Sequence, residues 1–264
     1  MRIPIFHVDA FTNRPFSGNP AGLCLLDSWL DDGTLLKVAA ENNLPATAYL
    51  VEKGTNYEIR WFTPVREIKL CGHATLGAAF VLLNVLQTSK DTLQFETRNS
   101  GALIVEKAGD LLRMDFPALL PAPCHAPPAR LKTALRLTSD PPEVLEVGER
   151  YIVVLDSATA LKDLRPDFPQ LAQLHPFVVG ATAKGEQEDF VSRYFTPSYG
   201  TNEDAVTGSL HCALAPYWGR RLRKSKLHAR QLSERGDELW CETSGDRVIL
   251  KGQAVLTMQG SMTI

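Results

Sequence analysis

Arg60-Trp61-Phe62-Thr63-Pro64 recurs later in the chain as Arg193-Tyr194-Phe195-Thr196-Pro197, at an offset of 133 residues (193 − 60). The offset is close to half of the 264 residues. Each copy precedes an acidic residue and a small-residue turn that opens an apolar helix. The turn is Cys71-Gly72-His73-Ala74-Thr75 in the first copy and Thr207-Gly208-Ser209-Leu210-His211 in the second. Five similar residues are a weak repeat alone, so the flanking elements decide.

Runs of β-branched and aromatic residues broken by Gly, Pro and Asp predict the same element order around both copies. In the first half they predict strands near Ala21–Leu26, Thr47–Val51, Tyr57–Phe62, Thr92–Thr97, Ala102–Lys107 and Leu111–Phe116, with helices near Asp31–Asn42 and Gly72–Leu86. In the second half they predict strands near Tyr151–Leu155, Phe177–Ala181, Phe190–Phe195, Leu227–Leu232, Glu238–Glu242 and Arg247–Lys251, with helices near Leu161–Leu174 and Gly208–Tyr217. This is an α/β (α+β) chain of two pseudo-symmetric halves. The first spans residues 1–117 and the second 129–252. Residues 118–128, with Pro121, Pro123, Pro127 and Pro128, read as an extended linker because proline removes backbone donors. The strand-like ends Ile3–Val8 and Ala254–Met258 have no repeat partner, and a C-terminal strand within 253–264 is expected to complete the first half. Two such halves are expected to form a ligand cleft between them.

Composition narrows the function. Lys and Arg total 28 against 30 Asp and Glu, and the only basic run is Arg220, Arg221, Arg223, Lys224 and Lys226 after a helical segment. A solvated helix end accounts for it, so nucleic acid and acidic membranes are not expected partners. Met1–Phe6 lacks the apolar length and cleavage site of a signal peptide, and the apolar run Leu76–Leu86 is far short of the ~20 residues a bilayer requires. Five cysteines without paired spacing fit reduced thiols and no zinc framework. A cytoplasmic location is expected.

The two turns carry the chemistry. A helix N-terminus presents N–H groups and the positive end of the helix dipole, and glycine lets a ligand approach the backbone. Gly72 and Ala74 in one turn, and Gly208 and Ser209 in the other, are therefore candidate binders of a small carboxylate. Capping by Thr207 or Ser209 is the alternative for the second turn. His73 is suited to proton transfer near neutral pH, and Asp204 to accepting a hydrogen bond from a ligand amine or hydroxyl. Glu203 and Asp204 have loop support as their alternative role. Cys71 is a possible acid or base because a helix N-terminus favours the thiolate. Its repeat counterpart is Thr207, which excludes a two-cysteine racemase mechanism.

Three motifs resemble those of a known family. They are Val8-Asp9-Ala10-Phe11-Thr12 with Pro15-Phe16-Ser17-Gly18-Asn19-Pro20-Ala21, then Arg60–Pro64 with Glu67 and Leu70–Thr75, then Asn202-Glu203-Asp204-Ala205-Val206-Thr207-Gly208-Ser209. In order and across nearly the whole chain, they resemble the phenazine-biosynthesis PhzF-like family, with Ala205 where proline is usual. The resemblance implies a diaminopimelate-epimerase-like fold, each half a curved, mostly antiparallel or mixed sheet around a central helix. It also implies a homodimer and an isomerase that moves a double bond by proton transfer between carbons, with no metal or organic cofactor. The family's histidine, aspartate and serine fall on His73, Asp204 and Ser209. Its catalytic glutamate falls on Ala46, within Pro45-Ala46-Thr47-Ala48, and Glu41 is a poor geometric substitute. An absent general acid or base typically costs ~10²–10⁴-fold in rate. Three readings stay open: an isomerase using His73, a silent ligand-binding or scaffold homologue, and a lyase or epimerase with Cys71 as base.

Overall fold

A computed structural model describes all residues, Met1–Ile264, and the chain folds as two compact units. Unit 1 comprises Met1–Asp115 and Lys251–Ile264, and unit 2 comprises Phe116–Leu250. The fold is mixed α/β.

In unit 1, β1 (Arg2–Ala10) and β2 (Asn19–Leu26) lead to α1 (Asp32–Asn42), β3 (Ala46–Lys53), β4 (Asn56–Phe62) and the short β5 (Glu67–Ile68). Then come α2 (Gly72–Phe80), β6 (Thr92–Thr97), β7 (Ala102–Ala108) and β8 (Leu111–Pro117). Unit 2 holds β9 (Ala122–Pro123), α3 (Ala129–Ala134), β10 (Glu143–Glu146), β11 (Arg150–Val154), α4 (Ala158–Lys162), α5 (Phe168–Ala172), β12 (Val178–Lys184), β13 (Phe190–Thr196) and β14 (Thr201–Glu203). It continues with α6 (Gly208–Leu222), β15 (Lys226–Gln231), β16 (Glu238–Ser244) and β17 (Arg247–Gly252), before β18 (Ala254–Thr263) closes the chain.

Strand pairing repeats as the sequence does. From β1 through β2, β3, β4, β6 and β7 the neighbours are antiparallel, parallel, antiparallel, parallel and antiparallel. From β10 through β11, β12, β13, β15 and β16 the same series appears. The end strand β18 pairs antiparallel with β1, from Arg2 opposite Thr263 to Ala10 opposite Ala254. Of the proline-rich residues 118–128, Ala122–Pro123 pair with β10, and the Ala118 N–H donates to the Asp246 carbonyl.

Each unit has a helix buried almost all round, which polar-faced surface helices are not. Ala74 through Ala79 of α2 are buried, as are Gly208 and every residue from Leu210 to Gly219 of α6. A Cβ added to Gly77 would lie 3.5 Å from Val8 Cβ, an ordinary contact, so α2 packs directly on β1. The opposite sheet face packs Leu35, Val38 and Ala39 of α1 against Ile5, Cys24 and Tyr49 in unit 1. In unit 2, Leu131, Leu161 and Leu171 pack on Val153, Val179 and Val191.

The helices depart from the sequence expectation where proline and local geometry act. The single helix expected near Leu161–Leu174 is two short ones, α4 and α5, separated around Pro166; Asp167 caps the second through the Gln170 N–H at 3.1 Å. The helix expected to end near Leu86 passes into a five-residue π-helical stretch, Val81–Val85, where the Leu86 N–H reaches the Val81 carbonyl at 2.8 Å. Conversely, α6 runs through Pro216 to Leu222. Proline cannot donate to the carbonyl four residues back, and the Leu119 N–H takes the Cys212 carbonyl instead at 3.0 Å. The basic run ends α6 as expected, with Arg220 and Arg221 in its last turn. No helix is long and apolar enough to cross a membrane.

Candidate functional site

The repeated arginine has the same task in both units. Arg60 Nε and Nη2 donate to the two Glu67 carboxylate oxygens, each at 2.7 Å. Arg193 donates likewise to Glu203, each bond 2.8 Å. Each guanidinium also lies 5.0 Å from the ring of the phenylalanine two residues on, Phe62 or Phe195. The Arg60 and Arg193 side chains are buried, so these are bidentate, charge-assisted pairs rather than surface ones. Their effect is to fix short strand β5 against β4, and β14 against β13, just before each central helix. The pairs differ in their remaining bonds. Arg60 Nη2 also bonds Asp32 while its Nη1 has no partner, whereas Arg193 Nη1 bonds the Leu161 and Leu164 carbonyls.

Behind the first clamp, Cys71 sits in extended conformation as the N-cap of α2, and its side chain makes no capping bond. Its Sγ lies 3.5 Å from His73 Nδ1 and 3.7 Å from Nε2. Thr75 Oγ1 and N both donate to the Cys71 carbonyl, at 2.6 and 3.1 Å, and hold the first turn closed. Cys71 and Ala74 are buried, while Gly72 and His73 are partly exposed. The thiol and imidazole are thus joined at the helix end.

Ala46 opens β3 and is fully buried. It is the parallel register partner of Ala21, whose Cβ would be 3.9 Å from a Cβ on Gly77. Register partners share a face, so Ala46 lies on the α2 side of the sheet. Thr47, on the other face, accepts from Asn42 of α1 at 3.1 Å. Glu41 is on α1 and exposed. The loop from Phe11 to Gly18 leaves this sheet with three left-handed residues, Phe11, Phe16 and Gly18. The buried Asp9 carboxylate holds it by accepting from the Phe16 N–H at 2.7 Å.

Behind the second clamp, Thr207 is the N-cap of α6 and also makes no capping bond. Its hydroxyl donates instead to Asp204 Oδ2 at 2.5 Å. Gln231, fully buried, fastens the turn with three bonds: it accepts from Thr207 N at 2.9 Å and donates to the Asp204 carbonyl at 2.7 Å and to Thr207 Oγ1 at 3.2 Å. His211 donates through Nδ1 to the Thr207 carbonyl at 2.8 Å, and its Nε2 faces Ser192 Oγ at 3.3 Å. Complete burial depresses the His211 pKa to about 4, against the backbone bond that favours the charged form. Ser209 is exposed in the first turn and lies 3.4 Å from Arg150 Nη2. Burial also pushes the Cys212 thiol up to about 12, although the positive charge of Arg150 opposes it.

Each expected residue therefore has a place. Cys71, Gly72, His73 and Ala74 share one helix start; Asp204, Gly208 and Ser209 share another. The Glu203 loop-support alternative matches what the structure shows. The capping alternative for Thr207 does not hold, because its hydroxyl is engaged by Asp204. Gln231, His211 and Arg150 were not anticipated. Gln231 left a signal: in Leu227-His228-Ala229-Arg230-Gln231 the alternate residues 227, 229 and 231 are buried, which puts a lone amide on an apolar strand face. No group of three or more His, Cys, Asp or Glu stands positioned to hold a metal ion.

Two α/β units with the same strand pairing, each leading a clamped loop into the start of a buried helix, define a fold shared with epimerases. A protein of Pseudomonas aeruginosa described as a predicted epimerase has it at a TM-score of 0.76 and 22% identity, covering 99% of both chains. A crystal structure of a phenazine biosynthesis PhzF-family protein from Enterococcus faecalis matches far more closely, with a TM-score of 0.94, 42% identity and 100% of both chains covered. A protein of P. aeruginosa named as an uncharacterized isomerase is 47% identical over 262 residues, 99% of each chain. The family model for phenazine biosynthesis-like proteins (PhzC-PhzF) matches residues 8–260, and the chain belongs to that family.

Proposed function

We propose that the protein is a cofactor-independent isomerase of a small carboxylate-bearing metabolite, with His73 as its proton carrier and Cys71 as that group's hydrogen-bonding partner. The observation that carries this is the 3.5 Å contact between Cys71 Sγ and His73 Nδ1 at an N-cap that its own side chain does not cap. Thiol and imidazole are both proton-exchanging groups, and this contact places them side by side at the helix start. The reaction is redox-neutral. A C–H bond breaks to a base, the electron pair shifts the double bond, and a C–H bond forms at another carbon. No co-reactant is consumed.

In this reading the N–H groups of Gly72, Ala74, Gly208 and Ser209 bind anionic oxygen. Asp204, its backbone set by the Arg193–Glu203 clamp and Gln231, accepts a hydrogen bond from the ligand's amine or hydroxyl. Relatives named as isomerases support the reaction class.

Ala46 favours a second reading, a ligand-binding homologue without turnover. An alanine has no proton to exchange, and its complete burial leaves no opening for solvent to substitute. Incubating a dihydro-hydroxyanthranilate with the protein in heavy water separates the two. The isomerase reading expects deuterium at carbon with the native chain and a faster rate with Ala46→Glu. Binding without deuterium in either chain establishes the silent reading.

A further inference from the structure

We infer that Arg150 is a substrate-binding residue, the side chain that takes the ligand's carboxylate beside Ser209; the inference rests on the carboxylate substrate class proposed above. Arg150 opens β11 and is the parallel partner of Val178. Two positions on, Ile152 pairs with Gly180, where an added Cβ would lie 2.8 Å from Leu210 of α6. Alternation puts Arg150 on that same face, toward α6. Its Nε donates to Tyr194 Oη at 2.9 Å, and Nη2 reaches Ser209 Oγ at 3.4 Å. No carboxylate lies within ion-pair distance of it.

Other arginines, the buried Arg60 and Arg193 and the exposed Arg221, are neutralised. Arg60 and Arg193 each hold a glutamate in two bonds, and Arg221 pairs with Glu143 at 2.8 Å. Arg150 is aimed by a phenol and a serine hydroxyl, neither of which cancels its charge. A guanidinium held partly out of water without an anion is an unfavourable arrangement that an anionic ligand relieves. Its planar fork suits a carboxylate, and two bonds from the protein fix its orientation beforehand.

The internal repeat gives the position further meaning. Phe62 pairs with Thr47 in unit 1 as Phe195 pairs with Val179 in unit 2. Val178 is therefore the counterpart of Ala46, and Arg150, its partner, the counterpart of Ala21. Unit 1 has two alanines where unit 2 has an aimed cation.

The test uses nuclear magnetic resonance on the ¹⁵N-labelled full chain, following the Arg150 Nε–Hε signal and the Gly208 and Ser209 amides. The Arg150 signal is identified by its loss in Arg150→Lys. Sodium acetate is titrated against acetamide and against sodium chloride at equal ionic strength. Expected is a saturable shift of all three signals with acetate only, weakened at least about tenfold in Arg150→Gln and less in Arg150→Lys. The inference is overturned if acetate produces no saturable shift, or if the Gly208 and Ser209 shifts are unchanged in Arg150→Gln. Melting curves of both variants confirm folding. Acetate binding at Arg150 in a protein that incorporates no deuterium refutes the isomerase reading alone. Turnover with an unchanged KM in Arg150→Gln refutes the Arg150 assignment alone.

Discussion

Acidification acts on the N-terminal turn of α6 through His211. The ring is completely buried, tilted against Phe190 with centroids 5.7 Å apart, and bonded to the Thr207 carbonyl that starts the helix. Burial lowers its pKa to about 4 from the ordinary 6.5. Between these values the unfolded chain binds a proton that the folded chain does not, so stability rises with pH across that interval. His211 thus contributes nothing to pH dependence above about 6.5, and its cost accrues as pH falls from there to about 4. At the ~1.4 kcal/mol that each pH unit represents, the full loss is about 3 kcal/mol. The assay is urea unfolding of the native chain and His211→Gln at pH 7, 6, 5 and 4. Carboxylates titrate in the same range but cancel in the difference between the two proteins. The native chain should lose about 3 kcal/mol more than the variant between pH 7 and 4. Parallel stability curves would refute the buried neutral imidazole.

Removing one partner of a buried ion pair strands the other: Arg193→Met or Glu203→Gln should cost about 3–5 kcal/mol in urea unfolding, and the double change to Met at both positions should cost less than Arg193→Met alone. Gly18→Ala should be far more damaging than Gly54→Ala. Both glycines are left-handed, but an added Cβ at Gly18 would meet the Ala10 carbonyl oxygen at 2.3 Å, whereas nothing lies within 4 Å at Gly54. Thermal melting should show ~1–2 kcal/mol for Gly54→Ala and several more for Gly18→Ala. Gln231→Leu should expose the α6 turn to faster amide exchange at Thr207, because it removes the bond from that N–H, and should cost about 1–3 kcal/mol.

The Arg-aromatic-Phe-Thr-Pro repeat was legible because it is a physical device. The arginine must be buried on a strand to reach a glutamate seven residues on in unit 1 and ten in unit 2, and the phenylalanine must lie under it. The sequence shows the arginine, the phenylalanine and an acidic residue after each copy; the differing spacing hides that this residue is the arginine's partner. Central helices were legible from small and apolar residues after each turn. Their lengths were not, because the end of α6 depends on whether Leu119, ninety-seven positions before Pro216, supplies the donor that proline lacks. The C-terminal strand that completes unit 1 was expected and is β18, but its register against β1 carries no local sign, since register over such a separation is set by the fold. In the site, the residues on the helix starts were readable from their spacing. Arg150 was not, because an arginine at a strand start reads as solvent-facing until α6 is placed beside it.

Solvent-deuterium incorporation by Cys71→Ser and His73→Gln, compared with the native chain on a dihydro-hydroxyanthranilate, tests the assignment of the proton carrier directly. His73→Gln should lower the rate by ~10²–10⁴-fold, and Cys71→Ser should have a smaller effect with a displaced pH profile. Incorporation that is unchanged in both variants would show that the joined thiol and imidazole at the start of α2 do not carry the proton.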